Sequence, residues 1–347
     1  MRIGLIDIDS SNYPNLPLMK LSAYYKQRGD NVEWYTPFAE RYDMVYVAKV
    51  FSWSEDYPYY INANRVVKGG SGYLIRTIDG KEGYYPFRAH LDSNHKGFTF
   101  MDELPHEVEH IYPDYSLYPK YTQDTAYGFL TRGCPRGCSF CHVAMKEGMK
   151  SVKVADLSEF WHGQHNIVLC DPNLLACKDC EPLLQQLIDS RANIDFNQGL
   201  DARMMTQRKA EMLGEIKVKE IHFAWDRYEE GEQVLKGLRI YEQYAKNRPH
   251  QHNAIVYTIV NYDTTIEQDL DRIYRLRDAG YWAYICVYDK KHAARIYKDL
   301  MRWCNNRVIF AAEPDFNKYN KQPKTSDNDI ITCPTAKKKL IQTRLEL

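Results

Sequence analysis

The chain has 347 residues, enough for about two domains, which excludes a peptide hormone or a lone zinc finger. Lys plus Arg is 46 and Asp plus Glu is 46, so no global positive field favours duplex DNA or an anionic bilayer, and nucleic acid is left with a local patch at most. No apolar run reaches the roughly 18 residues of a membrane span, and Asp7 and Asp9 fall where a signal peptide would be apolar, so a cytoplasmic protein with no membrane partner is expected.

In chain order, Ile3 to Ile8 reads as a strand. Leu16, Leu18, Met19, Leu21 and Tyr25 read as one face of a helix that stops at Gly29, and Val32 to Tyr35 as a second strand. Met44 to Val50, and Val66-Val67 leading into Gly69-Gly70-Ser71-Gly72, extend this β-α-β start toward a small parallel sheet. Residues 1–78 are therefore expected to form a Rossmann-like open domain. Residues 79–121 are rich in Gly, Pro, His, Asp and Tyr without a sustained period and read as a linker. Strand-like runs then recur at 126–131, 166–171, 194–198, 220–225, 254–260 and 281–288 within a second module, 122–315. Helical patterns lie between them, notably Pro182 to Arg191 and Thr264 to Ala279, the latter opened by the capping box Thr264-x-x-Glu267. Successive β-α units predict an α/β protein, barrel or open sheet, with functional loops at the carboxyl ends of strands. Residues 316–347 read as a solvated tail.

The nine cysteines begin only at Cys134, and without an export signal they read as thiols or metal ligands, not disulfides. The sharpest feature is the run Thr131-Arg132-Gly133-Cys134-Pro135-Arg136-Gly137-Cys138-Ser139-Phe140-Cys141, which spells C-x3-C-x2-C directly after the first strand of the second module. Its two glycines and its proline let the backbone curl so that three thiolates converge, and Arg132 and Arg136 favour the thiolate form. A structural zinc site takes four ligands and would have to borrow His142 or a distant cysteine. Cys138-x-x-Cys141-His142 also fits c-type haem attachment, a pattern that goes with export. Three soft local ligands favour an iron-sulfur cluster.

This motif and its placement resemble the radical SAM enzymes, whose signature is C-x3-C-x-aromatic-C after the first strand of a partial (β/α)6 barrel. Phe140 fills the aromatic position, and the resemblance covers residues 122–315. It implies a Rossmann-like open sheet followed by a radical SAM partial barrel, with a [4Fe-4S] cluster on Cys134, Cys138 and Cys141. The fourth iron would chelate S-adenosyl-L-methionine. A reducing electron donor such as flavodoxin or ferredoxin, oxygen sensitivity, and a 5'-deoxyadenosyl radical that abstracts hydrogen from an unnamed substrate follow from the same resemblance. Three ligands leave an open position for inner-sphere chemistry, where four would close it.

Further cofactor contacts are expected by position at strand ends: Asp171 and Asn173, then Gln198, Asp201 and Arg203, then Asp226, with Arg203 suited to a carboxylate. The family's Gly-Gly-Glu after the second strand is replaced by Cys170-Asp171-Pro172-Asn173. The first module resembles the cobalamin-binding-like domain that precedes many such barrels, which implies a corrinoid and radical methyl transfer, although Asp7-Ile8-Asp9-Ser10-Ser11-Asn12 lacks D-x-H-x-x-G. Competing readings are a non-catalytic iron-sulfur protein with a structural or oxygen-sensing cluster, a second metal site on Cys170, Cys177 and Cys180, and a thiol redox pair of the last two. Cys286 and Cys304, within apolar runs, are expected in the core, and the clustered tyrosines (Tyr57, Tyr59, Tyr60, Tyr84, Tyr85) in packing or interfaces.

Overall fold

A computed structural model describes residues 1–10, 13–78, 81–84, 98–245 and 254–319. Tyr85, Cys333 and the tail from 320 onward lie outside the described residues. The run Arg2–Asp7 is β1, with Ile3, Leu5 and Ile6 buried. Asn15 caps the next helix, α1 (Leu16–Gln27), by accepting the Leu18 amide, and Pro17 sits in the first turn, where a missing N–H goes unneeded. Gly29, at φ 79°, turns the chain out of the helix.

Strands β2 (Asn31–Trp34), β3 (Tyr42–Ala48) and β4 (Ala63–Gly69) follow, then the single turn α2 (Ser71–Leu74). An antiparallel hairpin, β5 (Ile75–Ile78) with β6 (Lys81–Tyr84), precedes β7 (Phe98–Met101). These build a five-stranded sheet of order β2-β1-β3-β4-β7, parallel at every pairing. The segment expected to be an elementless linker thus supplies a strand, because Phe98 and Phe100 pair with Val66 and Lys68 along the open edge of β4. β3 also begins two residues earlier than the apolar run suggested, with Tyr42 fully buried beside Gly4. One core joins Ile3, Leu5, Tyr46 and Val67 to Leu18, Leu21 and Tyr25 of α1, and a second joins Ile6, Tyr42, Val45, Val47 and Val66.

Helices α3 (His106–Glu109) and α4 (Pro119–Thr122) lead to β8 (Thr125–Gly128). The two-residue β9 (Thr131–Arg132) pairs with β10 (Val152–Lys153), and α5 (Val143–Glu147) lies between them in sequence. After β11 (Asn166–Leu169) the alternation is regular: α6 (Cys180–Ser190), β12 (Asn193–Leu200), α7 (Gln207–Glu215), β13 (Lys217–Ala224), α8 (Gly231–Tyr244), β14 (Ala254–Val260), α9 (Ile266–Asp278) and β15 (Trp282–Val287). Three helices close the described chain, α10 (Arg295–Cys304), α11 (Arg307–Ala312) and α12 (Phe316–Tyr319). The second sheet is ordered β15-β14-β13-β12-β11-β8, following the chain without a switch, and the pairs β12 with β13, β13 with β14 and β14 with β15 are parallel. The protein is α/β with parallel sheets.

By contacts the chain divides into one unit of Met1–Leu130, Arg136–Met149 and Lys153–Val168 and another of Thr131–Pro135, Lys150–Val152 and Leu169 onward. Within the first unit, Leu104, Val108 and Leu117 join the first core. The expected tail also starts too early, since Phe316 is buried against Trp303. The α9 cap sits one residue later than expected. Thr265 is extended and exchanges bonds with Gln268, while the Thr264 hydroxyl is committed to the Asp269 carboxylate. Among the described residues no helix is long and apolar enough to cross a membrane.

Candidate functional site

The cysteine run starts where β9 ends. Gly133 and Gly137 adopt φ 84° and 54°, left-handed values that favour glycine, and the Cys141 amide donates to the Cys138 carbonyl at 3.0 Å to close a turn. Cys134, Cys138, Cys141 and Phe140 are all half-buried. Asp171, beyond the end of β11, is buried and ties down the entry to the run: one carboxylate oxygen accepts from the Thr131 amide at 2.5 Å and from its hydroxyl at 2.6 Å. Asp171 is therefore an anchor for the residues that lead into Cys134, a role its strand-end position did not reveal.

Asn173 is the more informative neighbour. It is 3% exposed, its carbonyl accepts from the Ser151 hydroxyl at 2.8 Å, and its side-chain Nδ2 donates to Cys134 Sγ at 3.5 Å. A donor aimed at sulfur orients it and tunes any iron bound to it. The other end of the same amide, Oδ1, is buried with no hydrogen-bond partner, as is Nδ1 of His142. Buried polar atoms normally find partners, so both mark places where a ligand group would be accommodated.

Among the described residues no three His, Cys, Asp or Glu side chains are spaced to share one metal ion. A single zinc needs its ligands within about 2.3 Å of one point. A four-iron cluster gives each thiolate its own iron, so it does not demand that convergence.

The remaining strand-end candidates divide. Arg203, in the turn after β12, is taken up by protein carboxylates: its Nε binds Asp201 at 2.7 Å, and its Nη1 pairs with Glu230. A carboxylate ligand would have to compete with both. Asp226, after β13, accepts the Ile259 amide at 3.2 Å, and burial raises its carboxyl above the ordinary range. It fastens the end of β13 to β14. The buried Cys177 and Cys180 lie either side of the turn into α6, and burial pushes the Cys180 thiol up to about 12, opposite to the activation expected of a helix start. At the carboxyl end of β1, Asp7 accepts from the Tyr118 hydroxyl at 2.5 Å, and Asp9 accepts the amides of Val50 and Phe51 at 2.8 and 2.9 Å.

Sequence reasoning missed one set of residues. On β12 to β15 one face is apolar, with Phe196, Phe223, Val256, Val260 and Ile285 buried, and Phe223 packs against Tyr241 of α8. The alternate positions carry Asp195, Glu220, His222, Tyr257, Tyr284 and Cys286, together with Ile255, Ile259 and Trp282. Cys286 is accordingly exposed, not core as its apolar run suggested, because it alternates with the buried Ile285. Cys304 is fully buried. The available signal was the period of two, read jointly over four adjacent strands. Compared with known proteins, the chain matches no family model and no curated protein.

Proposed function

We propose that this chain is a radical SAM enzyme, with Cys134, Cys138 and Cys141 holding a [4Fe-4S] cluster and the second sheet forming the wall of a partial (β/α)6 barrel. The observation that carries the reading is the C-x3-C-x2-C run placed just past the first strand of a six-stranded sheet whose order follows the chain. The donor set fits the group: three soft thiols on a glycine-curled loop, an amide donor on Cys134, and an unpartnered amide oxygen beside it. When bound, the cluster and S-adenosylmethionine supply reductive cleavage of the sulfonium carbon-sulfur bond and a 5'-deoxyadenosyl radical for hydrogen abstraction.

The chain's own residues have separable tasks. Asp171 fixes the loop entrance through Thr131. Asn173 orients the Cys134 sulfur, and its free Oδ1 suits an ammonium donor in the place of the absent Gly-Gly-Glu. The order of the first sheet, which reverses beside β1, supports reading it as a Rossmann-like domain. Asp7 and Asp9, at the carboxyl end of β1, are committed to internal hydrogen bonds, so cobalamin would be held by other groups. The reading further places the protein in the cytoplasm with a flavodoxin- or ferredoxin-like donor.

The competing reading, a cluster kept for structure or oxygen sensing, shares the ligands but not the turnover. Anaerobic reconstitution followed by iron and sulfide analysis tests the ligands: about four irons per chain in the wild type and a marked loss in Cys138→Ala are expected. Retention of all the iron by that variant would remove the assignment.

A further inference from the structure

The polar face of β12 to β15 lies within one contact unit and has no assigned role. The His222 and Tyr257 rings are stacked, 4.9 Å between centroids and 3° from parallel, and Tyr284 meets Tyr257 edge-on at 5.9 Å. The Nδ1–H of His222 donates to the Phe196 carbonyl at 2.9 Å, which fixes the ring, while Asp195 and Glu220 stand 4.0 and 3.8 Å from its two nitrogens, beyond hydrogen-bond reach. Tyr257 donates its hydroxyl to the Asn197 carbonyl at 3.3 Å. Asp195 Oδ1 is buried without a hydrogen-bond partner, and Tyr284 remains 38% exposed. The face therefore offers ring surface together with carboxylate oxygens that the protein leaves without donors.

Each component narrows the ligand. A buried carboxylate oxygen left without a donor is costly, so the missing partner is an N–H or ammonium group. An aliphatic amine would satisfy the carboxylates and leave the ring faces without a stacking partner. A hydrocarbon ring would stack and leave the carboxylates unpaired. A flat heterocycle with amino donors satisfies both, stacking on the rings while its amino edge meets Asp195 and Glu220. Burial holds the Asp195 carboxyl above its ordinary range, with Glu220 adding like charge and His222 and Lys219 opposing it, and a donated hydrogen bond would relieve that desolvation.

We propose that this face binds a flat nitrogen heterocycle bearing an exocyclic amino group, the chemistry of cytosine or adenine, as the recognition element of the enzyme's substrate. As a substrate site it rests on the radical SAM reading; as a binding site it does not.

The test is calorimetric binding of cytidine and uridine to the full chain at pH 8, without reductant, beside a separate assay for S-adenosylmethionine cleavage. The two probes stack alike, but cytidine presents a two-hydrogen 4-amino donor where uridine presents a 4-carbonyl acceptor beside a single N3–H, so cytidine is expected to bind at least about tenfold more tightly. Asp195→Asn is expected to erase that preference. Tyr284→Ala, at an exposed site where the fold is not at risk, is expected to weaken both probes by similar factors. A short oligocytidylate binding more tightly than cytidine would assign the heterocycle to a polynucleotide, and equal or weaker binding to a free nucleoside; either result supports the proposal. Absence of saturable cytidine binding overturns it, as does equal affinity for the two probes in the wild type. It also fails if Tyr284→Ala weakens S-adenosylmethionine binding as much as cytidine binding, because the face would then belong to the cofactor. Failure of cleavage with cytidine binding intact would instead strike the radical reading alone.

Discussion

Both sheets are built from parallel strands, yet they treat polar groups differently. The first is apolar through its middle: Ile3, Leu5 and Ile6 of β1 and Val45 and Val47 of β3 feed two cores, and the charged side chains Arg2, Asp7, Asp43 and Arg65 sit toward strand ends. The second gives one face to helices and places Asp195, Glu220, His222 and Tyr257 across the other. A strand wrapped on both faces gains most from unbroken burial, whereas a face that carries ionisable groups forgoes that gain. The difference sets the ionisable and phenolic groups of the second sheet apart from the apolar interior of the first.

The comparison breaks most visibly at the helices behind the second sheet. Arg272 of α9 is fully buried, pairs with Asp269, and donates to the carbonyls of Trp225 and Asp226 at 2.8 Å and of Ile259 at 2.7 Å, joining the ends of β13 and β14. Arg272→Ala leaves Asp269 buried without its partner and should cost about 3–5 kcal/mol by denaturant unfolding. A loss below about 1 kcal/mol would show that the strand ends are held by something else. Gly237 of α8 comes next, because a Cβ there would lie 1.8 Å from the Ala202 carbonyl oxygen, a backbone atom. Gly237→Ala should cost about 3 kcal/mol, and an unchanged melting temperature would contradict the packing of α8 on the turn after β12.

In the core against the first sheet a buried polar interaction is modest. The hydroxyls of Tyr25 and Tyr46 meet at 2.6 Å in the core. Tyr25→Phe should cost about 1 kcal/mol and leave the iron content unchanged; a change in iron would mean that this interior is not merely structural. The smallest effect is chemical. Iodoacetamide at pH 8 should label the exposed Cys286 before Cys304, which is fully buried and whose thiol burial holds far above its ordinary range. Peptide mass spectrometry reads the order, and equal rates would contradict the alternation along β15.

What could be read in advance follows from the range of the forces involved. The six strand runs of the second module were legible because their apolar residues are contiguous or alternate, and the cysteine run because its glycines and thiols lie within a few residues of each other. β7 was not, since four residues between polar flanks become a strand only when β4 offers an edge. Thr264 and Thr265 are equivalent capping candidates until Asp269 claims the first hydroxyl. Arg203 looked free for a ligand because Glu230, which binds it, is 27 residues away. Cys286 looked like core because an apolar run does not say which of its two faces is covered.

The central claim, that the second module initiates radical chemistry on Cys134, Cys138 and Cys141, is tested most directly by 5'-deoxyadenosine formation from S-adenosylmethionine. The protein is reconstituted anaerobically, given a strong reductant, and compared with Cys138→Ala. Formation in the wild type and its loss in the variant is the predicted result. A wild type with its full complement of iron and no 5'-deoxyadenosine would contradict the claim and leave a cluster that serves structure or sensing.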